Sequence, residues 1–253
     1  GAAICFWFVS LFTKRQKVEL KDFKLIIICA IFGMGLNMIT ALNGLYNSTP
    51  INSSIITTLA PIFIFIISVI MLKERISRIK YAGVLIGFIG TLTLILLNEK
   101  SLENAPNINL GNFYLFINSI SYALYFVLVK PLTEKYNMIT IMKWLFLFSI
   151  FINIPFGLIE FTQIEWVEIS STSYIKILYV VFFTTFLVYL LNLYALKNLK
   201  ATTVGMFIYL QPVIGILFAI YRGADKLTIP DISSVLLVFT GVYLVSKKTH
   251  KAT

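Results

Sequence analysis

Residues 50–77 read PINSSIITTLAPIFIFIISVIMLKERIS, an apolar run with a proline, Pro61, near its middle and a charged segment at its end. The apolar part, 51–72, has the length of about 17 to 25 residues that a helix needs to cross a bilayer. The run has no strand alternation and is longer than a strand of a membrane barrel. This stretch therefore predicts a transmembrane α-helix.

Further apolar runs of similar length precede and follow it, which gives eight predicted spans. The other seven cover residues 25–46, 81–97, 110–129, 139–159, 174–193, 203–221 and 229–245. The chain is 58% hydrophobic and 13% charged, more apolar than the exterior of a soluble domain allows. The sequence predicts an all-α membrane protein in contact with the lipid bilayer.

The net charge of +10 does not predict a nucleic-acid partner, because the basic residues lie in short gaps between apolar runs. When alternate gaps are assigned to opposite membrane faces, 17 of the 21 Lys and Arg residues fall on the face that also holds the C-terminus. Basic residues favour the cytoplasmic side. We therefore expect a multi-pass protein of the cell inner membrane with a cytoplasmic C-terminus.

An internal repeat appears when the sequence is shifted by 151 residues. Pro61 then meets Pro212, Glu74 meets Asp225, and Gly90 meets Gly241. The pattern predicts a first repeat at 1–98, a linker at 99–109 and a second repeat with the tail at 110–253. Five spans fall in the second repeat, so we expect a ten-helix bundle of two inverted five-helix repeats whose N-terminal helix is missing from this chain. Inverted repeats are typical of transporters.

The segment 50–77, followed by Gly83, Gly87 and Gly90, resembles the EamA branch of the drug/metabolite transporter superfamily. The second half repeats it as YLQPVIGILFAIYRGADKLT at 209–228, with Asp225 where the family usually has Glu. The resemblance implies a ten-helix secondary carrier of amino acids, metabolites or drugs, which often works as an exporter.

Polar side chains at membrane depth should turn away from lipid and line a cavity. On the helix at 110–129, Asn118, Tyr122 and Tyr125 share one face near the middle of the span, and we expect them to contact the solute. Together with residues of other helices, the candidate solute-binding set is Asn118, Tyr122, Tyr125, Asn37, Thr57, Tyr209 and Asn192. Helical periodicity aligns Tyr209 with Pro212 but directs Gln211 elsewhere. The same residue types also serve in ordinary helix–helix packing.

Pro61 and Pro212 should each bend a helix, either as hinges or as static kinks. Glu74 and Asp225 lie at helix ends on opposite membrane faces. Glu74 is most simply a solvated charge, and the alternative is a gate that closes by ion pairing. The spacing of Gly83 and Gly87 suits close packing within one bundle, and it also permits a homodimer.

No catalytic residue, cofactor or metal site is predicted. The sequence lacks a Walker A motif, and its single histidine, His250, lies in the tail. The predicted function is therefore secondary transport of a small-molecule solute by alternating access. The alternatives are a membrane-embedded lipid-modifying enzyme and a non-transporting membrane subunit.

Overall fold

A computed structural model describes residues 1–74, 77–97, 106–166, 169–221 and 229–247 of the protein. Within these ranges the chain is helical and contains no β-strand, as predicted. The α-helices are α1 (Ala2–Ser10), α2 (Leu20–Ala30), α3 (Asn37–Asn47), α4 (Pro50–Thr57), α5 (Ala60–Met71), α6 (Arg78–Leu97), α7 (Ile108–Leu128), α8 (Lys130–Lys135), α9 (Met138–Gln163), α10 (Ser171–Tyr179), α11 (Val188–Asn198), α12 (Ala201–Met206), α13 (Leu210–Tyr221) and α14 (Ile229–Ser246).

Several of these helices join end to end into membrane-length rods. In the described residues, five helices are long and apolar enough to cross a membrane: Leu20–Asn47, Asn52–Met71, Ile108–Lys135, Met138–Leu158 and Ser171–Asn198. They coincide with five of the eight predicted spans. The three other predicted spans are also helical, in α6, in α12 with α13, and in α14.

Local structure recurs at the offset of 151 residues found in the sequence. Three pairs of helices begin 151 positions apart, at Leu20 and Ser171, at Pro50 and Ala201, and at Arg78 and Ile229. A wide π-helical turn follows at Ile31–Leu36 in one half and at Val180–Leu187 in the other.

The chain divides into two compact units, Gly1–Ile39 with Leu128–Leu199 and Thr40–Val127 with Lys200–Thr253. Each unit takes segments from both predicted repeats. Compact units follow side-chain packing, whereas the predicted boundaries follow sequence repetition. The repeat boundaries therefore stay a prediction.

The first unit has an aromatic core and a polar cluster at the start of α2. The fully buried ring of Phe6 contacts Phe146 and Phe186, with centroids 5.0 and 4.6 Å away. At α2, the Tyr136 hydroxyl donates to the Asp22 carboxylate over 2.7 Å. This hydrogen bond is the main reason that the pKa of Tyr136 is raised. The Lys135 ammonium also lies 3.2 Å from Asp22, so the cluster ties the start of α2 to the end of α8.

The second unit is built around the crossing of α6 and α14. A Cβ at Gly83 would lie 2.9 Å from the Gly241 carbonyl oxygen, and one at Gly90 would lie 3.0 Å from that of Ser234. Higher positions in α6 meet lower positions in α14, so the two helices run antiparallel. The glycines permit this close approach of backbones. They are used for packing within one chain, and a homodimer stays a prediction that needs another surface.

Candidate functional site

The helix made of α4 and α5 is interrupted inside its span. The Thr49 hydroxyl caps α4 by accepting from the Asn52 N–H over 3.2 Å. α4 ends at Thr57, and α5 begins at Ala60. Pro61 explains the break, because it has no N–H for the Thr57 carbonyl and its ring collides with that carbonyl in a regular helix.

The helix made of α12 and α13 is interrupted at the equivalent place. A short 3₁₀ turn, Phe207–Tyr209, separates the two helices. Pro212 has no N–H to donate to the Ile208 carbonyl, just as Pro61 has no N–H to donate to the Thr57 carbonyl. The sequence predicted bends at both prolines, and the structure has a change of helical geometry beside each. Whether either proline acts as a hinge stays a prediction.

A cavity of about 210 Å³ lies where these two interrupted helices meet, within the second unit. It is lined by Ser54, Thr57, Thr58, Ile208, Tyr209, Gln211 and Pro212. None of these seven side chains carries a charge. The volume is below the roughly 300–1,000 Å³ that is usual for drug-sized ligands. Chemically, the cavity offers hydroxyl and amide groups to a small ligand.

Tyr209 is a buried residue of this cavity with an unpaired polar group. It is 1% exposed, and its hydroxyl has no hydrogen-bond partner among the described residues. Leaving such a group unpaired costs about 1–3 kcal/mol, which a ligand that bonds to it would recover. Gly87 of α6 makes room for the ring, because a Cβ there would lie 3.0 Å from Cδ2 of Tyr209.

Three of the predicted site residues are therefore brought together, namely Thr57, Tyr209 and Pro212, and Pro61 lies one turn from Thr57. The expectation for Gln211 was wrong, since this residue lines the same cavity as Tyr209 and Pro212. The 3₁₀ turn immediately before α13 changes the angular step per residue, so a regular α-helical projection misplaces Gln211. Thr58 also lines the cavity and was not predicted.

The predicted stripe on α7 does not contribute to the lining of this cavity. Tyr125 is 1% exposed, and the Tyr122 ring contacts Tyr125 and Phe126, with centroids 6.4 and 5.5 Å away. The neighbouring Ser119 hydroxyl donates to the Ile56 carbonyl over 3.2 Å. Asn118 is half-buried. A solute contact of Asn118, Tyr122 and Tyr125 stays a prediction.

Asn37 and Asn192 belong to the first unit. Asn37 directly follows one π-helical turn, and Asn192 lies in α11, the helix after the other π-helical turn. Asn37 is buried and Asn192 is half-buried. A π-helical turn leaves carbonyls without their usual helical partner. In the first turn, the Tyr189 hydroxyl donates to the Gly33 carbonyl over 3.1 Å and the Asn153 amide donates to that of Met34 over 3.3 Å.

Glu74 is half-buried, and its predicted role as a gate stays a prediction. Its carboxylate accepts from the Ala201 backbone N–H over 3.2 Å and from the Thr202 hydroxyl over 2.8 Å. These are groups of the first turn of α12, where a negative charge is favourable. Glu74 thus anchors the helix that leads to Tyr209. Asp225 lies outside the described residues.

Comparisons with known proteins agree with the helical fold. One crystal structure shares the fold with a TM-score of 0.75 and 14% identity, over 97% of this chain and 82% of that one. An uncharacterized transporter of Archaeoglobus fulgidus is 28% identical over 92% of this chain and 81% of its own length. The uncharacterized transporter YetK of Bacillus subtilis is 25% identical over 79% of this chain and 60% of its own length.

The sequence profile of the EamA-like transporter family matches residues 1–96 and 109–247. This match covers nearly the whole chain and confirms the predicted resemblance. Together with the apolar helices, it identifies the protein as a multi-pass membrane transporter. The chain belongs to the EamA-like transporter family.

Proposed function

We propose that the protein is a secondary transporter that moves a small metabolite, such as an amino acid, by alternating access through the cavity between α4 and α13. The observation that carries the proposal is a set of polar groups inside two spans. Ser54, Thr57 and Gln211 are exposed there. Polar side chains at this depth are costly unless they line a hydrated cavity. The small volume favours a metabolite over a drug.

The chemistry of the lining supports a solute without net charge. Tyr209 and Gln211 both donate and accept hydrogen bonds, and the threonine hydroxyl oxygens accept. A solute with a fixed net charge would have no opposite charge among the seven lining side chains. A neutral or zwitterionic solute suits this cavity best.

Two inverted repeats are the architecture that we propose for alternating access. The recurrence of helix starts at 151 residues supports it, and so does the crossing of α6 and α14. Under that shift Gly83 corresponds to Ser234, and Gly90 corresponds to Gly241. The contact between Gly83 and Gly241 is therefore equivalent to the contact between Gly90 and Ser234. Equivalent contacts of this kind between antiparallel helices are expected for a two-fold axis in the membrane plane. The total of ten helices stays a prediction.

The proposed setting is the cell inner membrane with a cytoplasmic C-terminus, and the proposed direction is export. The distribution of Lys and Arg supports the orientation, since 17 of the 21 basic residues fall on the C-terminal face. The direction rests on the family resemblance.

The test is transport in proteoliposomes against a panel of amino acids, nucleosides and sugars, followed by substitution of the lining. Gln211→Leu keeps the size of the side chain but removes its hydrogen bonds, and it should reduce the affinity for the solute by roughly ten- to hundredfold. Gln163→Leu, at the exposed end of α9, is the matched control and should transport normally. Normal transport by the Gln211→Leu variant would rule out this cavity as the solute site.

A further inference from the structure

We propose that the α4 side of the cavity binds a monovalent cation such as Na⁺. The proposal rests on the proposed function, because the ion would couple to the solute in the same cavity. Two features of the described residues carry it: the Thr57 carbonyl, which lacks its helical donor, and two threonine hydroxyls whose oxygens can only accept.

The first feature is the proline that follows α4. In a regular helix, the Thr57 carbonyl would accept from the N–H of residue 61. That residue is Pro61, which has no N–H. Thr57 lines the cavity. Backbone carbonyls at such helix interruptions are the groups that coordinate Na⁺ in many secondary transporters.

The second feature is the orientation of the threonine hydroxyls. The Thr57 hydroxyl donates to the Ser54 carbonyl over 3.0 Å, and the Thr58 hydroxyl donates to the Ile55 carbonyl over 2.6 Å. Each hydroxyl hydrogen is thus committed to α4 itself. The remaining lone pairs of both oxygens can only accept. The oxygens can therefore coordinate a hard cation, but they cannot donate a hydrogen bond to a solute.

The end of α4 adds an electrostatic potential that favours a cation. Ser54, Thr57 and Thr58 lie at the C-terminal end of α4, which ends at Thr57. The C-terminal end of a helix carries a partial negative charge and favours cations. The lining residues of the other helix, Tyr209 and Gln211, belong to the 3₁₀ turn and the first turn of α13, so they remain for the solute.

The composition of the lining decides between kinds of cation. Ca²⁺ and Mg²⁺ are usually held with carboxylates, and transition metals by Cys or His. The lining has none of these side chains, and the described part of the chain has no group of three or more His, Cys, Asp or Glu that could hold a metal. Neutral oxygen ligands suit a monovalent ion. The cavity of about 210 Å³ leaves room beside it for a small solute.

The experiment measures ion binding without any solute. The purified full chain in nanodiscs is unfolded by heat in NaCl, KCl and choline chloride at equal ionic strength, and equilibrium binding of radioactive sodium is measured in parallel. A bound ion stabilises the folded state. We expect a higher Tm in NaCl or KCl than in choline chloride. Equal Tm values in all three salts, without saturable sodium binding, would overturn the proposal.

Two variants locate the site. Thr58→Val preserves the shape of the side chain but removes an oxygen, and Pro61→Ala returns an N–H to the Thr57 carbonyl. Each should weaken sodium binding by about tenfold. The matched control is Thr93→Val, because the Thr93 hydroxyl makes the same type of bond, to the Ile89 carbonyl over 2.8 Å, outside the cavity. Sodium affinity that is unchanged in both folded variants would contradict this placement.

Solute transport is scored separately. Uptake into proteoliposomes that proceeds equally in choline chloride overturns the ion proposal and leaves the transport function intact. Saturable sodium binding that is lost in the Thr58→Val variant, without transport of any solute in the panel, supports the ion site and counts against the proposed function.

Discussion

Thr58 and Tyr209 occupy equivalent positions in the two halves of the sequence, 151 residues apart, and both side chains line the same cavity. Each lies at a helix interruption three residues before a proline, Pro61 or Pro212. The two are chemically different, since the Thr58 hydroxyl bonds within α4 and the Tyr209 hydroxyl has no partner among the described residues. A duplicated backbone feature thus presents two unlike sets of polar groups to one cavity.

The first prediction concerns Gly87, which makes room for the Tyr209 ring. In a Gly87→Ala variant the new Cβ would lie 3.0 Å from Cδ2 of Tyr209 and 3.1 Å from Cε of Met206. Overpacking of this kind costs about 1–3 kcal/mol. We expect a lower Tm in thermal unfolding and weaker solute binding, because the ring must move.

Gly157→Ala is the matched control for this prediction. A Cβ at Gly157 meets nothing within 4 Å, and the residue lies inside α9. Its replacement should leave the Tm unchanged or raise the stability by up to about 1 kcal/mol through helix propensity. A Gly87→Ala variant as stable as Gly157→Ala would show that Tyr209 is not held against α6.

The second prediction concerns the contact between Glu74 and Thr202. Glu74→Ala and Thr202→Val each remove one side of the 2.8 Å hydrogen bond. Because the groups interact directly, the double variant should be less destabilised than the sum of the single variants, by about 0.5–3 kcal/mol. Unfolding free energies of the four proteins give the coupling. If the two single losses of unfolding free energy simply add in the double variant, Glu74 does not anchor α12 through Thr202.

The third prediction concerns membrane orientation. In a background with Cys5 and Cys29 replaced by alanine, Glu165→Cys should react with an impermeant maleimide added outside intact cells, and Lys17→Cys should not. Their positions lie on opposite faces in the proposed topology, and basic residues favour the cytoplasm. Labelling of Lys17→Cys alone would reverse the orientation.

Much of the fold could be predicted because its determinants are local. The lengths of the apolar runs gave the helices, and the positions of Pro61 and Pro212 gave the interruptions. Gln211 was misplaced because the periodicity of a regular helix does not hold across a 3₁₀ turn. In that case a proline one residue away was the available signal of altered geometry.

The partner of Glu74 was not predictable, since Thr202 is 128 residues away and the contact depends on how α12 packs. Whether Tyr122 and Tyr125 contact a solute stays a prediction. A face of tyrosines looks the same in sequence whether it lines a cavity or packs against other rings. The contact of Tyr122 with Phe126 joins positions i and i+4 of one helix, which are neighbours in any α-helix.

The central claim is that the solute binds in the cavity between α4 and α13, and the Tyr209→Phe variant tests it most directly. The change removes only a buried hydroxyl that has no partner among the described residues. The stability without solute should therefore be unchanged or higher, because an unsatisfied polar group is lost. The control is Tyr243→Phe, at a tyrosine of α14 that is 63% exposed.

The measurement is the dissociation constant of a transported solute for the wild type and both variants, from solute-dependent thermal shifts of the purified protein. We expect the Tyr209→Phe variant to bind the solute roughly ten- to hundredfold more weakly, while the Tyr243→Phe variant binds it as the wild type does. Equal affinity of all three proteins would contradict the placement of the solute in this cavity.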